Sequence, residues 1–513
     1  MKWLSKISAF CRNIVTKLTP SDIAWQGVRR GFWGVTGFYL LWFLFVMVVP
    51  DFWFGKLVAY LMIVLVLLLI STLIALVIKL VNWFPSKVKN TLLLVTPLFT
   101  FVFLPAAGLT GGTILLISMM LSVSFLAGAC AVILKKGRAS WQSGKVISAL
   151  VIGLAVLVSI NYVLLSEKES LNPELDNYQL ADKTLPLLNP ANKGNYTVKS
   201  LTYGSGVDRN RAMFGSEVTI KSRSVDASKL IDNWEGFSGW LRTQYYGFGA
   251  DALPLQARVW YPDADGSFPL ILIVHGNHAM EDYSDPGYEY LGKLFASRGY
   301  IFASVDENFL NVSIADFVNP IAPSLDEEND ARGWLLLKHL QQWREWNDDP
   351  NHIFSGKVDM NRIVLMGHSR GGEAVATAAL FNSLSHYPDD ARITFDFGFN
   401  LRGIVAIAPV DGQYEPREKR IPLVDINYFT IHGSLDGDLE SFMGLSVYER
   451  ADFSSDTFHF KSSLYVHGAN HGNFNTSWGQ CDIAAFLCWS LDKDSLMDAE
   501  KQRQIAKVYL SAF

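Results

Sequence analysis

Residues 363–372 place a glycine-flanked serine directly after a short apolar run, and this arrangement constrains the fold more than any other part of the chain. The run IVLM at 363–366 is followed by Gly367-His368-Ser369-Arg370-Gly371 and then by the small residues of 372–380. A strand that enters Gly-x-Ser-x-Gly and leaves as a helix makes a turn so tight that only glycine fits beside the serine. The pattern therefore predicts a serine hydroxyl above a sheet edge, at a helix N-terminus that favours developing negative charge.

Apolar runs on both sides of this turn predict a mostly parallel sheet. The predicted strands cover residues 270–274, 300–305, 363–366, 403–408, 428–431 and 463–466. Helical patterns lie between them, including one at 328–346, and alternating strands and helices are typical of a doubly wound α/β fold. Residues 196–207 and 217–223 alternate in polarity, which predicts antiparallel strands that open the sheet.

Two later loops carry the groups that activate a serine hydroxyl. Asp436 follows the predicted strand 428–431, and His471 follows the predicted strand 463–466. In open α/β sheets, catalytic groups gather at the carboxyl ends of the strands. An imidazole can take the serine proton, and a carboxylate fixes the tautomer of that imidazole. Asp438 and Asp411 remain alternatives for the acid, and His467 remains the alternative for the base.

Five motifs in order resemble the α/β-hydrolase superfamily over residues 255–480. They are RVWYPD at 258–263, IVHGNH at 273–278, GHSRGG at 367–372, IHGSLDGD at 431–438 and GANHG at 468–472. Within the superfamily, the motifs are similar to those of dienelactone hydrolases, platelet-activating-factor acetylhydrolases and polyester hydrolases.

This resemblance implies a role for each residue that matches a motif. Ser369 is the implied nucleophile, His471 the general base and Asp436 the acid that orients it. The backbone N–H groups of Asn277 and Arg370 are the implied oxyanion hole, which stabilises the negative oxygen of a tetrahedral intermediate.

The sequence gives no reason to expect a cofactor, a metal or a nucleic acid. His275 and His278 are close together, but no H-E-x-x-H or comparable cluster accompanies them, so we expect them to shape the loop beside the oxyanion hole. The net charge is −5 and no basic patch indicates nucleic-acid binding. The expected partners are a small-molecule or lipid ester and a membrane.

The first third of the chain is unusually apolar. The whole chain is 50% hydrophobic and only 18% charged, and this hydrophobic content is high for a soluble enzyme. Runs without any charge cover residues 31–50, 57–78, 90–134 and 146–165. A span needs about 20 apolar residues, and the run 90–134 is long enough for two. We therefore expect an all-α membrane domain of about five transmembrane helices.

Lysine and arginine alternate between the short loops that join these runs. The basic loops are the N-terminal segment, 79–89 and 135–145, whereas the other two connections offer only Lys56. Positive loops stay on the cytoplasmic side, so we expect a cytoplasmic N-terminus and an extracytoplasmic catalytic domain on a plasma membrane of the bacterial inner-membrane type.

The predicted organisation has four parts: a cytoplasmic segment at 1–30, a transmembrane domain at 31–166, a linker at 167–195 and a catalytic domain at 196–513. Cys481 and Cys488 would then lie where disulfide bonds persist. On one helix, seven residues would separate them by about 10 Å of rise, so they can pair only if Cys481 precedes the helix.

These observations predict a membrane-anchored serine hydrolase that cleaves a lipid, cell-envelope or other acyl ester through an acyl-enzyme. An acyltransferase or a serine peptidase could use the same fold and the same three residues. A membrane sensor with a non-catalytic hydrolase domain is the alternative from a different class, but such a domain has no need to retain Ser369, Asp436 and His471 together.

Overall fold

Two compact units make up the chain, and each is described separately. The computed structural model describes residues 111–137, 144–165, 188–231, 234–312, 325, 328–439, 441–482 and 493–513, with residues 23, 24, 26, 27 and 30. The first unit is Met1–Leu171 with Ala484–Leu491, and the second is Asn172–Ile483 with Asp492–Phe513.

In the first unit, two apolar helices pack against each other. Helix α1 is Gly111–Lys136 and helix α2 is Gly144–Leu165. Ala129, Val132 and Val146 form a small buried cluster in this unit. Among the helices of the described residues, none meets the combined requirements of length and apolarity for crossing a membrane. The predicted spans at 31–50 and 57–78, and residues 90–110 of the third run, lie outside the described residues.

The second unit is built on a nine-stranded sheet within the described residues. Its strands are β1 Val198–Gly204, β2 Ile220–Lys221, β5 Ala257–Pro262, β6 Phe268–Val274, β7 Ile301–Val305, β8 Val358–His368, β9 Leu401–Ile407, β11 Asn427–Gly433 and β13 Lys461–Val466. Their order in the sheet is β13-β11-β9-β8-β6-β7-β5-β1-β2. Four two-residue strands form two small sheets: β3 Ser224–Val225 with β4 Leu253–Pro254, and β10 Leu423–Val424 with β12 Ala451–Asp452. The helices are α3 Gly236–Tyr246, α4 Glu289–Ser297, α5 Asn329–Asp348, α6 Arg370–Ser383, α7 Met443–Arg450 and α8 Ala499–Ala512.

Central strand β6 shows why the apolar runs become buried parallel strands. Leu270, Leu272 and Val274 belong to the larger of two cores, together with residues of α5 and α6. Ile271 and Ile273 point to the other core, which includes residues of α4 and α8. Helices therefore cover both faces of the sheet, which is why a central strand can be apolar at every position.

Six neighbouring strands, from β13 to β7 in the sheet order, are parallel. They include all six strands predicted from apolar runs, and these predictions are confirmed with small shifts of the ends. The chain thus has a mixed α/β fold with a large, mostly parallel sheet, as expected for the α/β-hydrolase class. Because parallel strands end at the same edge, the loops after β6, β8, β11 and β13 meet there.

The opening strands follow the prediction only in part. Strand β1 is antiparallel to β5, as expected, with Val198 opposite Pro262. The expectation for residues 217–223 is wrong, because β2 is parallel to β1 and pairs Tyr203 with Ile220. Residues 205–219 carry the chain back along β1 instead of forming a tight hairpin, so that β2 runs in the same direction as β1. The alternating polarity of residues 217–223 therefore did not determine the direction of pairing.

Candidate active site

Ser369 lies in a strained turn between β8 and α6. Its backbone has φ 59° and ψ −123°, an uncommon conformation for a residue with a side chain. Hydrogen bonds hold the turn on both sides: the Ser369 N–H donates to the Ile407 carbonyl at 2.9 Å, and the Ser369 carbonyl accepts the Gly372 N–H at 2.9 Å. The surroundings therefore maintain a conformation that would otherwise cost about 1–3 kcal/mol.

Glycines around Ser369 are required by close backbone approaches. A Cβ at Gly367 would overlap the carbonyl of Gly371, and a Cβ at Gly371 would meet the carbonyl of Val274. A Cβ at Gly276, in the loop after β6, would collide with the Ser369 side chain and lie 2.9 Å from its Oγ. The loop after β6 therefore lies directly against the serine, as a loop that supplies an oxyanion-hole N–H must.

His471 and Asp436 form a buried pair in the loops after β13 and β11. The His471 Nδ1 lies 2.8 Å from Oδ2 of Asp436, and the two side chains are 5% and 2% exposed. The other carboxylate oxygen accepts the N–H groups of Asp438 at 3.0 Å and Leu439 at 2.8 Å. With Nδ1–H donated to this carboxylate, Nε2 carries the lone pair that can accept a proton.

Charges around this pair shift both pKa values. Burial lowers the pKa of His471, but the charge and hydrogen bond of Asp436, with the charges of Asp438 and Asp482, outweigh it and raise that pKa to about 9. Burial raises the pKa of Asp436, but the His471 charge and hydrogen bond, helped by the Leu439 N–H, hold it below its usual value. The pair therefore favours a carboxylate beside an imidazolium.

The alternative acids and the alternative base occupy different environments. Asp411 forms a bidentate ion pair with Arg450, at 2.6 and 2.8 Å. The Asp438 side chain is 48% exposed, and its Oδ2 lies 3.5 Å from Nε2 of His471, on the side opposite the Asp436 hydrogen bond. His467 is exposed at the end of its strand. These contacts favour Asp436 as the orienting acid and His471 as the base.

Of the two residues expected to supply the oxyanion hole, Arg370 follows the serine and Asn277 follows Gly276, which lies against the serine. Arg370 is the first residue of α6, where a backbone N–H has no acceptor within the helix. Its guanidinium is occupied by Glu328 at 2.7 Å, so the side chain is directed into an ion pair. Asn277 follows Gly276, and its side-chain oxygen accepts the Val312 N–H at 2.8 Å.

Two histidines in the loop after β6 have separate environments. His275 is fully buried; its Nδ1 lies 2.8 Å from the Gly276 carbonyl, and its Nε2 accepts the Glu307 N–H at 2.9 Å. Both ring nitrogens of His275 are thus engaged by backbone groups, one in the loop after β6 and one at residue 307. His278 lies near Asp282, with Nδ1 3.2 Å from the carboxylate. Across the residues that the structure describes, no group of three or more acidic, histidine or cysteine side chains is arranged to hold a metal ion.

One wall of the site is aromatic, and the sequence did not reveal it. Trp478 stacks on His471, with ring centres 5.8 Å apart and planes 5° from parallel. It also stacks on His278, with centres 5.7 Å apart and planes at 9°. The indole N–H donates to Ser284 Oγ at 2.9 Å, which fixes the ring orientation. The base is thus covered by an apolar ring on one side.

Asp482 is a second residue of this region that the sequence did not indicate. Its carboxylate accepts backbone N–H groups from Gly437, His471 and Gly472. No motif includes it, and an isolated aspartate in a polar segment carries no recognisable signal. The neighbouring Cys481 is disulfide-bonded, whereas Cys488 lies outside the described residues.

Comparison with known proteins supports a hydrolase. A sequence model of the family described as Chlorophyllase matches residues 249–428, about a third of the chain. This is an α/β-hydrolase-like family of ester hydrolases, in agreement with the parallel sheet. The matched segment includes Asn277, Ser369 and Arg370 and ends before Asp436 and His471. No curated protein matches the chain.

Proposed function

We propose that the chain is a serine hydrolase that cleaves a carboxylic ester through an acyl-enzyme. The main observation is that the Ser369 turn lies beside the buried His471–Asp436 pair: the ring of His368, the residue before Ser369, has its centre 4.9 Å from that of His471. A serine in such a turn, together with an imidazole oriented by a carboxylate, is the arrangement needed for nucleophilic acyl transfer. The family match supports ester hydrolysis as the reaction class.

In the proposed mechanism, Ser369 Oγ attacks the ester carbonyl while Nε2 of His471 takes the hydroxyl proton. The backbone N–H groups of Arg370 and Asn277 stabilise the resulting oxyanion, and a single donor of this kind contributes about 3–4 kcal/mol. The intermediate collapses, the carbon–oxygen bond to the alcohol breaks, and His471 returns the proton to the departing oxygen. Water, deprotonated by His471, then attacks the acyl-enzyme and releases the acid and the free serine.

A partition experiment tests the acyl-enzyme directly. Phenyl and p-nitrophenyl esters of the same acyl group would be hydrolysed in buffer that contains methanol. Both substrates pass through one acyl-enzyme, so the ratio of methyl ester to free acid must be the same for both. A ratio that depends on the leaving group would mean that water and methanol attack the substrate itself. Dominant methyl ester at low methanol concentration would indicate an acyltransferase.

The raised pKa of His471 predicts an alkaline activity profile. Because the base must be neutral to accept a proton, molecules with protonated His471 are inactive. We expect kcat/KM for a neutral ester to rise with pH through an inflection near 9, the pKa of His471. The measurement is initial rates from pH 6 to 10. A profile that is already flat above pH 7 would contradict the assigned electrostatics.

Asp438→Asn is the variant that tests the origin of this shift. Its carboxylate raises the His471 pKa through a half-exposed contact, so solvent screening makes its contribution smaller than that of Asp436. We expect the inflection to move to lower pH and the rate at pH 7 to increase. Asp452→Asn, a change of the same kind at an exposed position on β12, should leave the profile unchanged. An unchanged inflection in Asp438→Asn would show that Asp438 does not act on the base.

We further propose that the first third of the chain attaches the enzyme to a membrane with the catalytic unit outside the cytoplasm. The support is in the sequence: charge-free runs at 31–50, 57–78, 90–134 and 146–165, and basic residues confined to alternate loops. The linker expected at 167–195 would then tether the catalytic unit near the bilayer, with a reach of about 30 Å.

Protease protection tests this topology. In right-side-out vesicles, added protease is expected to release or degrade the catalytic unit and to spare a tag at Met1. Permeabilised vesicles serve as the control in which both are digested. A protected catalytic unit with a digested tag would mean that the orientation is inverted, and recovery of the intact chain in the soluble fraction would rule out membrane attachment.

A further inference from the structure

Four hydrogen bonds converge on the carboxylate of Asp482. Oδ2 accepts the backbone N–H of His471 at 2.8 Å and that of Gly437 at 3.0 Å. Oδ1 accepts the backbone N–H of Gly472 at 2.8 Å and the side-chain amide of Asn470 at 2.7 Å. Hydrogen bonds to an ionised acceptor are about twice as strong as those between neutral groups.

These donors come from two different loops. Gly437 directly follows Asp436, in the loop after β11, whereas His471 and its neighbours belong to the loop after β13. A single oxygen of Asp482 therefore joins the backbone beside the acid to the backbone of the base. The 2.8 Å bond between Asp436 and His471 depends on the separation of these two loops, so Asp482 is well placed to fix that bond.

Asp482 also adds negative charge near the imidazole. The carboxylates that face His471 are Asp436, Asp438 and Asp482, and the other titratable neighbours are His278, His368 and His432. Arg370 acts on the same region through Asp438. Asp482 contributes to the raised pKa of His471, after Asp436 and Asp438. Loss of the Asp482 charge is therefore expected to lower the pKa of His471, which loss of packing alone would not do.

We propose that Asp482 is a positioning residue for the catalytic pair: its carboxylate holds the Asp436 loop and the His471 loop together through their backbone N–H groups. The proposal rests on the function proposed above and deepens it. The Asp482 carboxylate accepts hydrogen bonds from backbone and side-chain amide groups of these loops, and it affects the reaction only through His471. Asp436 hydrogen-bonds the imidazole itself, whereas Asp482 holds the backbone that carries the imidazole.

Asp482→Asn is the variant that tests this role. An amide of the same size cannot accept through its nitrogen, so two of the four hydrogen bonds and the charge are lost. We expect kcat to fall by about 100-fold, the size of effect that a small misplacement of catalytic groups produces. KM should change little, and the inflection of the kcat/KM profile should move to lower pH.

Asp425→Asn provides a matched control. Asp425 is more exposed than Asp482, and its carboxylate accepts the backbone N–H groups of Ser454 at 2.7 Å and Ser455 at 2.9 Å. It thus ties its own segment to residues 454–455 through backbone N–H groups, away from the catalytic pair. The control should retain the wild-type kcat and pH profile. Active-site titration normalises each preparation to its concentration of reactive serine, and the pH inflection does not depend on how many molecules are folded.

The outcomes separate this proposal from the proposed function. Suppose that a fluorophosphonate labels wild-type enzyme at Ser369, and that Asp482→Asn has a kcat within twofold of the wild type and an inflection at the same pH. The positioning role is then wrong and the mechanism stands. Equal losses in Asp482→Asn and Asp425→Asn, with no change of inflection, would also overturn it. If the wild type is not labelled at Ser369, the proposed function itself fails.

Discussion

Ser369→Ala is expected to lower kcat for carboxylic ester hydrolysis by about 10⁶-fold, because members of a catalytic triad act as a unit. The substitution removes one oxygen from a residue that is 2% exposed. Alanine has no hydroxyl to attack the carbonyl, so only weak catalysis by the oxyanion hole and by substrate binding remains. The measurement is the steady-state hydrolysis of a p-nitrophenyl ester, together with thermal unfolding to show that the variant is folded.

Ser383→Ala is the matched control for this substitution. Ser383 is exposed at the other end of α6, where its hydroxyl donates to the Leu380 carbonyl at 2.7 Å. It should retain wild-type hydrolysis. A folded Ser369→Ala variant with more than about one tenth of the wild-type activity would place the nucleophile elsewhere.

Asp436→Asn is expected to lower kcat by about 10⁴-fold while the fold is retained. The Asp436 carboxylate accepts the Nδ1 proton of His471 at 2.8 Å and stabilises the imidazolium that forms. An asparagine amide can instead donate to Nδ1, which favours the tautomer with its proton on Nε2. That tautomer cannot accept the serine proton. The measurement is kcat at several pH values, with KM as an internal check on substrate binding.

Asp411→Asn tests the competing assignment of the acid. Asp411 forms an ion pair with Arg450, whose side chain is 27% exposed. Substitution of Asp411 therefore weakens an ion pair that lies outside the catalytic pair. We expect near wild-type hydrolysis and a modest decrease in thermal stability. Full activity in Asp436→Asn together with loss of activity in Asp411→Asn would move the acid to the loop after β9.

The sheet could be predicted from sequence because strands that are buried on both faces have continuous apolar runs. A strand such as β6 needs apolar side chains at every position, and its run LILIV is readable without any knowledge of its neighbours. The short strand β2 has no such requirement. Its partner is set by the path of residues 205–219, and local alternation of polarity does not encode that path.

The same distinction applies to the site. Ser369 is identifiable because its turn requires glycine at fixed neighbouring positions, and Asp436 and His471 because they follow readable strands. Trp478 and Asp482 act through tertiary contacts: the first stacks on His471, and the second accepts its backbone N–H. Nothing at the level of spacing distinguishes these two side chains from ordinary surface residues.

Covalent labelling by a fluorophosphonate tests the central claim most directly. The reagent phosphonylates a serine only where a base activates its hydroxyl, so it reports the nucleophile and the base together. We predict one added group per chain, on the peptide that contains Ser369, with no label in Ser369→Ala and greatly slowed labelling in His471→Ala. Label on another residue, or undiminished labelling of Ser369→Ala, would contradict the assignment of Ser369 as the nucleophile.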